Sequence, residues 1–420
     1  MGGAVDHLMK LLFVHQNFPG QFKALAPALA SMSGVSVAAL SMQAGKQFPG
    51  IAAFAHAPSH GSTPNLPPSV SDFEAKMLRA TSAARMAQAM QKDGFTPDVI
   101  IGHPGWGETL LLGEVWPNAR QLHFLEFFYH SRGGDTEFDP EFSNPSLDNY
   151  IRIVSKQPAP LWALHQMDWG LSPTEWQKQT YPEREWPRMT VIHDGVDTHT
   201  IRANPEIRLT LQEKGIALKA GDPVITFVNR NLEPYRGYHI FMRALPEILE
   251  KHPTAHVLIV GGDGVSYGAP PPPGGPSWKQ RFLNEVADRI DRNRVHFLGN
   301  LPYNTFIGLL QLSAVHVYLT YPFVLSWSLM EAMACECLII GSRTAPVMEV
   351  VEDGQTGVLV DFFDPQALAA AVLDGLARPD FYRPMRQAAR RKIIEKYDLN
   401  TVCLPAQIEL VRAVAAKTRR

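Results

Sequence analysis

Cysteine is rare in this chain of 420 residues, which contains only Cys335, Cys337 and Cys403. Three cysteines cannot build the disulfide framework of a small secreted domain, and Cys335 and Cys337 are too close together in sequence to resemble a zinc-ribbon pair. They fit ordinary core thiols in a reducing compartment. The cysteine content therefore favours a cytoplasmic protein.

Long apolar runs are absent as well. No stretch of 18 apolar residues occurs, so the sequence predicts no transmembrane helix. The first residues lack the basic start and the apolar stretch of a signal peptide, and we expect residues 1–8 to form an extension before the first strand. A cytoplasmic location is predicted, with peripheral contact at the inner face of a membrane left open.

The chain has no excess of charge of either sign. Its 39 Lys and Arg residues are balanced by 41 Asp and Glu residues, for a net charge of −2 at pH 7. Nucleic-acid-binding proteins usually carry a basic face, so this balance argues against that class. The hydrophobic content of 45% is ordinary for folded domains, and the length suggests two or three of them.

Motifs for metal binding are missing too. The sequence contains no Asp-x-Asp and no pair of histidines at the spacing of a metal site. The acidic residues between positions 135 and 141 fit a solvated loop. We therefore expect neither a resident metal ion nor a cofactor.

What the chain does contain is a repeated alternation of short apolar strands and amphipathic helices. One series begins at residues 10–15 and a second begins at residues 223–228. Such alternation predicts parallel sheets with helices on both faces, that is, two Rossmann-like, doubly wound α/β domains with a boundary near residues 198–222. The same reading predicts a long loop over 43–68, an aromatic strand over 121–129 and a helix from Glu108.

Ligands of open α/β sheets bind beyond the carboxyl ends of the strands, which directs attention to residues 229–237. This segment follows a predicted strand, leads into a helix and carries Arg230 and Arg236. A guanidinium is planar, permanently charged and able to make two parallel hydrogen bonds, which suits a diphosphate. The alternative is that both arginines lie on a solvated loop.

A second candidate is the stretch 321–332, where a strand leads into a helix that starts near Ser326 to Ser328. Serine side chains and unpaired N–H groups at a helix N-terminus bind phosphate well. Glu331 lies three residues after Ser328. It either caps this helix or faces a ligand and accepts hydrogen bonds from ribose hydroxyls.

The N-terminal half offers weaker candidates. Gly20, in the turn after the first strand, lets a backbone approach a ligand closely, although an ordinary turn explains it equally well. His103, Glu126, Tyr129 and His130 lie at the ends of adjacent predicted strands. A carboxylate inside an aromatic strand is costly unless it is paired or lines a cleft, so Glu126 is either functional or a satisfied structural carboxylate.

One motif is misleading. Residues 264–268 match the Gly-x-Ser-x-Gly nucleophile elbow of hydrolases, which requires a helix directly after the serine. Four prolines follow at positions 270–273, and proline cannot continue a helix. The sequence therefore argues against a hydrolase.

In their order and spacing, these motifs resemble bacterial family 4-like glycosyltransferases of the GT-B fold, over nearly the whole chain. Residues 191–197 resemble the family's I-P-N-G-V-D strand end, and residues 331–335 its E-A-M-A-C helix. Residues 230–236 resemble its diphosphate-binding loop, and residues 345–357 the stretch that closes its donor site. The resemblance implies two Rossmann-like domains facing a central cleft, and a retaining, metal-independent transfer from a nucleoside diphosphate sugar.

The resemblance also implies roles for single residues. Arg230 and Arg236 would hold the donor diphosphate, Glu331 would bind the ribose, and the backbone at Gly299 would meet the base. The implied catalytic set is Glu126, His103, Arg230 and Arg236. The implied donor set is Gly20, Arg230, Arg236, Gly299, Ser326, Trp327, Ser328, Leu329 and Glu331, and the acceptor set is His15, Tyr129 and His130.

Three positions depart from the family's pattern. Phe323 stands eight residues before Glu331, where the family carries the first glutamate of a pair, so a contact to a donor-sugar hydroxyl is expected to be lost or replaced. Glu336 replaces a glycine, and Leu338 replaces a proline. Because a left-handed backbone costs a non-glycine residue about 1 kcal/mol, we expect the helix end at Glu336 to differ.

The sequence thus predicts a glycosyltransferase that acts on a hydroxyl of a saccharide or a lipid-linked glycan, in cell-envelope or exopolysaccharide synthesis. An acceptor domain is expected over 9–200, a donor domain over 201–395, and a helix over 396–420 that packs back on the first domain. The alternatives are a GT-B sugar-nucleotide epimerase and a non-catalytic nucleotide-sugar-binding subunit. Phe323 in place of a glutamate is the feature that suggests the subunit.

Overall fold

The chain forms two compact units in the computed structural model, which describes residues 8–211 and 215–417. Most of the expected extension over residues 1–8 therefore lies outside the described residues. The N-terminal unit consists of the residues up to Thr136, Asn144–Asp194 and the residues from Asn400 onward. The C-terminal unit consists of Gly195–Leu399 and of Glu137–Ser143, which we call the crossing segment. The chain passes from the N-terminal unit to the C-terminal unit between residues 194 and 195, where the sequence predicted 200/201. It returns between residues 399 and 400, where the sequence predicted 395/396.

The N-terminal unit is built on one parallel sheet of seven strands, in the order β3-β2-β1-β4-β5-β6-β7. The interior strand β1 pairs with β2 on one side and with β4 on the other. Its residues are apolar without interruption, which is typical of a strand covered on both faces. The strands are β1 (Met9–Val14), β2 (Val35–Ser41), β3 (Ile51–Ala55), β4 (Val99–Gly102), β5 (Arg120–Phe124), β6 (Trp169–Ser172) and β7 (Met189–Val191).

Helices cover both faces of this sheet. Successive side chains of β1 point to opposite faces, so β1 contributes to the core on each side. Leu11 and Phe13 pack with a cluster that includes Leu25 and Val411, whereas Leu12 packs with helix residues such as Ala83. The helices of this part of the chain are α1 (Leu25–Ala30), α2 (Pro68–Lys92), α3 (Leu112–Val115), α4 (Leu147–Val154), α5 (Pro158–Gln166) and α6 (Glu175–Gln179).

Three local predictions in this unit are wrong. The expected loop over 43–68 contains the edge strand β3, whose alanine-rich sequence gives little apolar signal. The helix expected from Glu108 is a 3-10 turn at Pro104–Trp106 followed by the short α3. The aromatic strand ends at Phe124, so Glu126 lies beyond the carboxyl end of β5 and not inside a strand.

The C-terminal unit contains a parallel sheet of six strands, in the order β12-β11-β10-β13-β14-β15, and an antiparallel hairpin of β8 and β9 that the sequence did not predict. Its strands are β8 (Arg208–Leu211), β9 (Ile216–Lys219), β10 (Val224–Asn231), β11 (His256–Gly262), β12 (Val295–Phe297), β13 (Val315–Tyr318), β14 (Leu338–Ser342) and β15 (Val358–Val360). Its helices are α7 (Tyr238–Lys251), α8 (Trp278–Val286), α9 (Tyr303–Leu312), α10 (Trp327–Ala334), α11 (Ala345–Val350), α12 (Pro365–Ala377) and α13 (Arg383–Tyr397).

The last helix, α14 (Leu404–Ala416), belongs to the N-terminal unit. Its Val411 and Val414 are buried in the same core as β1, and the Gln407 side-chain amide donates to the carbonyl of His193. Among the described residues, no helix combines the length and the apolar character needed to cross a membrane.

The end of α10 keeps the geometry that glycine usually provides. Glu336 has a left-handed backbone with φ of +60°, and the N–H of Cys337 donates to the carbonyl of Ala332. The N–H of Glu336 itself donates to Met333, which completes a Schellman motif. The expectation that this helix end would differ is therefore wrong, because the helix keeps its shape and Glu336 carries the strain.

Candidate active site

A connected set of polar side chains lies at the carboxyl ends of β1, β4 and β5. His15 directly follows β1, His103 directly follows β4, and Glu126 comes two residues after β5. Gln21 joins this set from the 3-10 turn that precedes α1. We call these four residues the Glu126 network. Because parallel strands end at the same edge of the sheet, residues far apart in sequence meet here.

The hydrogen bonds of the Glu126 network lead to the Glu126 carboxylate from two sides. The Asn17 N–H donates to His15 Nδ1 at 2.9 Å, so His15 Nε2 carries the proton and donates to Gln21 Oε1 at 2.8 Å. The Gln21 amide then donates to Glu126 Oε1 at 3.1 Å. The second carboxylate oxygen accepts from His103 Nε2 at 3.3 Å, because His103 Nδ1 is occupied by the Gly105 N–H. Glu126 is thus the common acceptor.

These contacts fix the charges of the network near neutral pH. Burial would raise the pKa of Glu126, but the hydrogen bonds from His103 and Gln21 outweigh it, and the pKa lies below its ordinary value. Burial, with the nearby His103, lowers the pKa of His15 to about 4. Near neutral pH, the network therefore presents an ionised Glu126 carboxylate, and its His15 imidazole is neutral. The Glu126 side chain is 37% exposed, so a ligand hydroxyl can reach it.

Gly20 has a structural reason to be glycine. Its φ is +49°, and a Cβ at this position would lie 2.5 Å from the imidazole of His15. The glycine lets the His15 ring lie against the turn, and the structure places it as a support of the Glu126 network. Gln21, its neighbour, was not recognised from the sequence as a site residue.

Tyr129 and His130, the other predicted acceptor residues, have different surroundings. The Tyr129 ring packs edge-on against Phe127 and beneath the ammonium of Lys156. The His130 Nε2 is 2.6 Å from the backbone carbonyl of Thr180. Both lie on the exposed or half-buried loop after β5, and their role in acceptor binding stays a prediction.

The second candidate region lies in the C-terminal unit and is centred on Arg236. This residue ends a 3-10 turn before α7 and is buried. Its Nη1 donates to Thr320 Oγ1 at 2.8 Å and to the carbonyl of Val324 at 2.9 Å. The guanidinium also lies 5.0 Å from the ring of Tyr267 and 5.6 Å from that of Phe323. We call this group of five residues the Arg236 site.

Arg230 differs from Arg236 in its position, its exposure and its contacts. It is the penultimate residue of β10, and its side chain is exposed. In the part of the chain that the structure describes, its guanidinium makes no hydrogen bond and no ion pair. The structure places both arginines after the apolar part of β10 but joins them by no common partner.

The Gly/Pro-rich loop after β11 is held by Glu233. The carboxylate of this fully buried residue accepts the backbone N–H groups of Ser266, Tyr267 and Gly268 at 3.0, 3.3 and 3.0 Å. This cradle brings the Tyr267 ring to Arg236. The next helix, α8, begins only at Trp278, so the geometry of a hydrolase elbow is not present at Ser266.

Ser326 is the N-cap of α10. Its Oγ accepts from the N–H of Ser328 at 3.3 Å and lies 2.9 Å from the Ser328 hydroxyl. Leu329 and Ser328 are buried, whereas Trp327 is exposed. Because the carbonyl of Val324 binds Arg236, the start of this helix and the guanidinium lie in one region. Such an arrangement of cation and helix N-terminus suits a phosphate.

Glu331 does not cap α10, since Ser326 does. The buried Glu331 carboxylate accepts the hydroxyl of Tyr303 at 2.6 Å, a partner that sequence reasoning did not identify. Gly299, the predicted neighbour of the base, has a φ of +63° and accepts the Gly261 N–H at 3.0 Å. A Cβ at Gly299 would meet open space, so the backbone here is accessible.

Phe323 lies within an aromatic cluster. Its ring contacts Tyr235 edge-on at a centroid distance of 5.1 Å and Tyr267 at 4.9 Å, and it is buried. The apolar ring thus walls one side of Arg236. Tyr235 and Tyr267 were missed from the sequence because nothing in their local pattern links them to position 323.

The crossing segment reinforces the same region of the C-terminal unit. Asp139 is buried and accepts the Tyr321 hydroxyl at 2.6 Å and His239 Nε2 at 3.1 Å. Burial would raise the pKa of Asp139, but these two hydrogen bonds outweigh it and lower the pKa. Tyr321 is the neighbour of Thr320, and its own N–H donates to the carbonyl of Tyr235. The segment therefore stabilises the loop that holds Arg236.

Across residues 8–211 and 215–417, no three His, Cys, Asp or Glu side chains are grouped as the ligands of a metal ion would be.

Comparisons with known proteins agree in both halves of the chain. The model of the glycosyl transferase family 4 group matches residues 33–201, and that of glycosyl transferases group 1 matches residues 210–392. A D-inositol 3-phosphate glycosyltransferase of Mycolicibacterium vanbaalenii is 28% identical over 322 residues, which are 73% of this chain and 65% of that protein. The enzyme of the same name from Acidothermus cellulolyticus is 27% identical over 189 residues, 44% of this chain and 40% of that protein. The matches thus span less than two thirds of these relatives.

A solved structure shares the fold. The Anabaena protein HepE, in complex with UDP and glucose, superposes with a TM-score of 0.66 at 16% identity, covering 96% of this chain and 100% of that chain. Two consecutive family models and a common fold agree with the two parallel sheets described above. The chain belongs to the family 4-like glycosyltransferases of the GT-B fold.

Proposed function

We propose that this protein transfers a sugar, with retention and without a resident metal ion, from a nucleoside diphosphate sugar to a hydroxyl of a saccharide or lipid-linked acceptor. The observation that carries the proposal is the buried guanidinium of Arg236 beside the N-terminus of α10. Family membership supports the reaction class, and the UDP and glucose of HepE support the kind of donor.

The donor diphosphate would bind to the two arginines. Only Nη1 of Arg236 donates to described protein groups, so Nε and Nη2 remain as donors for phosphate oxygens. Arg230 offers its whole guanidinium. Preorganised cations of this kind stabilise the charge that develops on a leaving diphosphate, which is the work that a divalent ion does in other enzymes.

In the proposed step, the bond between the anomeric carbon and the diphosphate oxygen breaks as the acceptor oxygen bonds that carbon on the same face. The acceptor proton leaves with the diphosphate. The Glu126 network would orient the acceptor, because an ionised carboxylate accepts a hydrogen bond from a hydroxyl. Its lowered pKa makes Glu126 a weak base, so we assign it positioning and electrostatics.

The test is a panel of UDP-, GDP-, dTDP- and ADP-sugars, measured by thermal shift and by turnover. Arg230→Ala is expected to lower kcat/KM at least 100-fold with an unchanged melting temperature, because it removes an exposed cation that holds no described protein partner. Arg208→Ala, which removes an exposed arginine of β8, is the matched control. Wild-type rates in Arg230→Ala would refute the phosphate assignment.

The same panel separates the alternatives. Binding of one nucleotide without transfer to a proven acceptor would favour the non-catalytic subunit that Phe323 suggests. Conversion of the sugar nucleotide to its epimer, without an acceptor, would favour the epimerase. No thermal shift and no turnover with any donor would refute donor binding altogether.

A further inference from the structure

The ring of Tyr267 lies against the guanidinium of Arg236, the group proposed to hold the donor diphosphate. The ring centroid is 5.0 Å from the Arg236 Cζ atom, and the centroid of Phe323 is 5.6 Å from it. The two centroids are only 4.9 Å apart, so both rings lie on the same side of the guanidinium and form a corner around it. An aromatic ring attracts a cation, and more strongly where water is excluded, as it is at this buried arginine.

These contacts fix the orientation of the Arg236 guanidinium. At one end, Nη1 donates to Thr320 Oγ1 and to the carbonyl of Val324. On one side, the two rings limit its rotation. Among the residues that the structure describes, the edge formed by Nε and Nη2 has no acceptor, and such an edge can bind two oxygens of a phosphate in parallel. A fork that is already oriented loses less entropy when its ligand binds.

The two rings of this corner are held in different ways. Phe323 is 3% exposed and packs edge-on against Tyr235. Tyr267 is half-buried and belongs to the Gly/Pro-rich loop after β11. Its hydroxyl makes no hydrogen bond with the part of the chain that the structure describes. The position of the Tyr267 ring therefore depends on its packing and on how the backbone of the loop is fixed.

The backbone of the loop is fixed at Tyr267 itself and directly after it. The Glu233 carboxylate accepts the N–H groups of the three consecutive residues 266–268. Beyond them, Trp278 Nε1 donates to the carbonyl of Ala269 at 2.9 Å. A buried carboxylate without hydrogen-bond partners is costly, so Glu233 and the loop hold each other in place.

We propose that Tyr267 is a positioning residue for donor binding: its ring holds the guanidinium of Arg236 in the orientation that binds the diphosphate, and Glu233 fixes the ring by fixing the loop. The inference rests on the proposed function, because it takes the diphosphate as the ligand of Arg236. It deepens that function, because part of the affinity for the diphosphate is assigned to residues that act on it only through the arginine.

Tyr267→Leu tests the ring by calorimetric titration. Leucine is apolar but has no aromatic face, so the Kd of the nucleoside diphosphate that the donor panel identifies should rise about tenfold. The free nucleoside of the same base has no phosphate, and its Kd should change by less than about twofold. Tyr267→Phe keeps the ring and should bind like the wild type. Val265→Ala, at an exposed position of the same loop, is the control and should also bind like the wild type.

Glu233→Gln tests whether the loop acts through the ring. The NH2 group of glutamine replaces one accepting oxygen, so the amide protons of residues 266–268 should exchange with solvent about tenfold faster or more. This exchange is measured without a ligand and does not depend on the proposed function. In titrations, the double change Glu233→Gln with Tyr267→Leu should bind the nucleoside diphosphate no more weakly than Tyr267→Leu alone, because both changes remove the same contact.

A wild-type Kd for the nucleoside diphosphate in Tyr267→Leu would overturn the inference, and so would an equal loss of affinity for the free nucleoside. Additive losses in the double variant, or unchanged exchange in Glu233→Gln, would overturn the role of Glu233. These results all presuppose a wild type that binds the nucleoside diphosphate. A wild type that binds none would refute the proposed function, and the inference would fall with it.

Discussion

At the scale of the residue, the turn at Gly20 and Gln21 influences the ionisation of the Glu126 carboxylate. Gly20 adopts the left-handed backbone that lets His15 lie against the turn, and the next residue, Gln21, then links His15 to Glu126. Each donor in this series has one acceptor. The lowered pKa of Glu126 therefore depends on the neutral amide of Gln21 as well as on the imidazole of His103.

Gln21→Glu tests this dependence. A second carboxylate beside Glu126 disfavours ionisation of both groups, so the pKa of Glu126 should rise and the acid limb of the kcat/KM profile of the proposed transfer should move to higher pH by about one unit. Gln43→Glu, on a neighbouring side chain that donates to Asn17 and not to Glu126, is the control. An unchanged profile in Gln21→Glu would show that Glu126 does not govern the acid limb.

Single residues were predictable from the sequence when a strand end placed them. The structure brings His15, His103 and Glu126 together at one sheet edge and places Arg236 in the region of Ser326. Glu331, farther along α10, binds Tyr303. Their partners were not predictable in this way. Gln21, Thr320 and Tyr303 are recognised only once the turns and the neighbouring strands are in place, because their contacts span large separations in sequence.

At the scale of the element, the C-terminal end of α10 is a Schellman motif that contains a strained residue, Glu336. The Schellman hydrogen bonds require a left-handed residue at position 336, and the chain supplies a glutamate there. The Glu336 side chain makes only a long ion pair, because its Oε1 lies 3.8 Å from Arg390 Nε. The motif is strong enough to impose the backbone on a residue that disfavours it.

Glu336→Gly should raise the free energy of unfolding by about 1 kcal/mol, because glycine adopts the left-handed conformation without a steric penalty. Glu336→Ala is the matched control, since it loses the same ion pair and keeps the strain. Urea unfolding of the three proteins measures the difference. Equal stability of the glycine and alanine variants would contradict the assignment of strain.

The crossing segment is the second element with a prediction. In Asp139→Asn, the NH2 group must replace either the oxygen that accepts from Tyr321 and His239 or the oxygen that accepts from the Glu141 N–H. One of these donors then loses its partner at a cost of roughly 1–3 kcal/mol. Because the loop 320–324 holds Arg236, the Kd for the preferred nucleoside diphosphate should rise about tenfold. Calorimetric titration of the folded variant measures this.

Glu141→Gln serves as the control for that experiment. It alters the partly exposed pair between Glu141 and Arg243 in the same segment without touching Tyr321, and surface pairs contribute little. Its affinity should match that of the wild type. A wild-type affinity in Asp139→Asn would show that the segment does not position the Arg236 site.

At the scale of the whole molecule, five buried histidines couple folding to pH. Burial lowers the pKa of His15, His56, His123 and His193 to about 4 and that of His316 to about 3, from an ordinary value of 6.5. His103 adds to the effect at His15 and at His123, and Arg79 adds to it at His56. The folded protein thus keeps these side chains neutral where an unfolded chain would protonate them.

Below pH 6.5 the unfolded chain binds protons that the folded chain does not, so the free energy of unfolding should fall as the pH drops from about 6.5 to about 4. Urea unfolding at pH 7, 6 and 5 tests this, and proton uptake on unfolding at pH 5 gives an independent value. The carboxylates with lowered pKa have ordinary values of 3.8 and 4.5, so they add to the fall only near the lower end of this range. A constant free energy between pH 7 and pH 5 would contradict the prediction.

The two-sheet architecture was predictable because apolar strands and amphipathic helices alternate twice along the chain. Elements without that signal were missed. Strand β3 is a short edge strand of alanines, and the hairpin of β8 and β9 is partly exposed, so neither shows a long apolar run. The crossing segment was read as solvated acidic loop, since only contacts more than 90 residues away bury Asp139.

The crossing segment also determines which fragments of this protein contain a complete C-terminal unit. A fragment of residues 195–399 would contain both sheets of the C-terminal unit but would lack Asp139, the acceptor for the buried His239 and for Tyr321. It would also uncover Phe282, Phe362 and Trp278, against which Phe138 and Phe142 pack. Expression of the C-terminal unit alone therefore requires residues 137–143 to be supplied, either as a separate peptide or joined through a new linker.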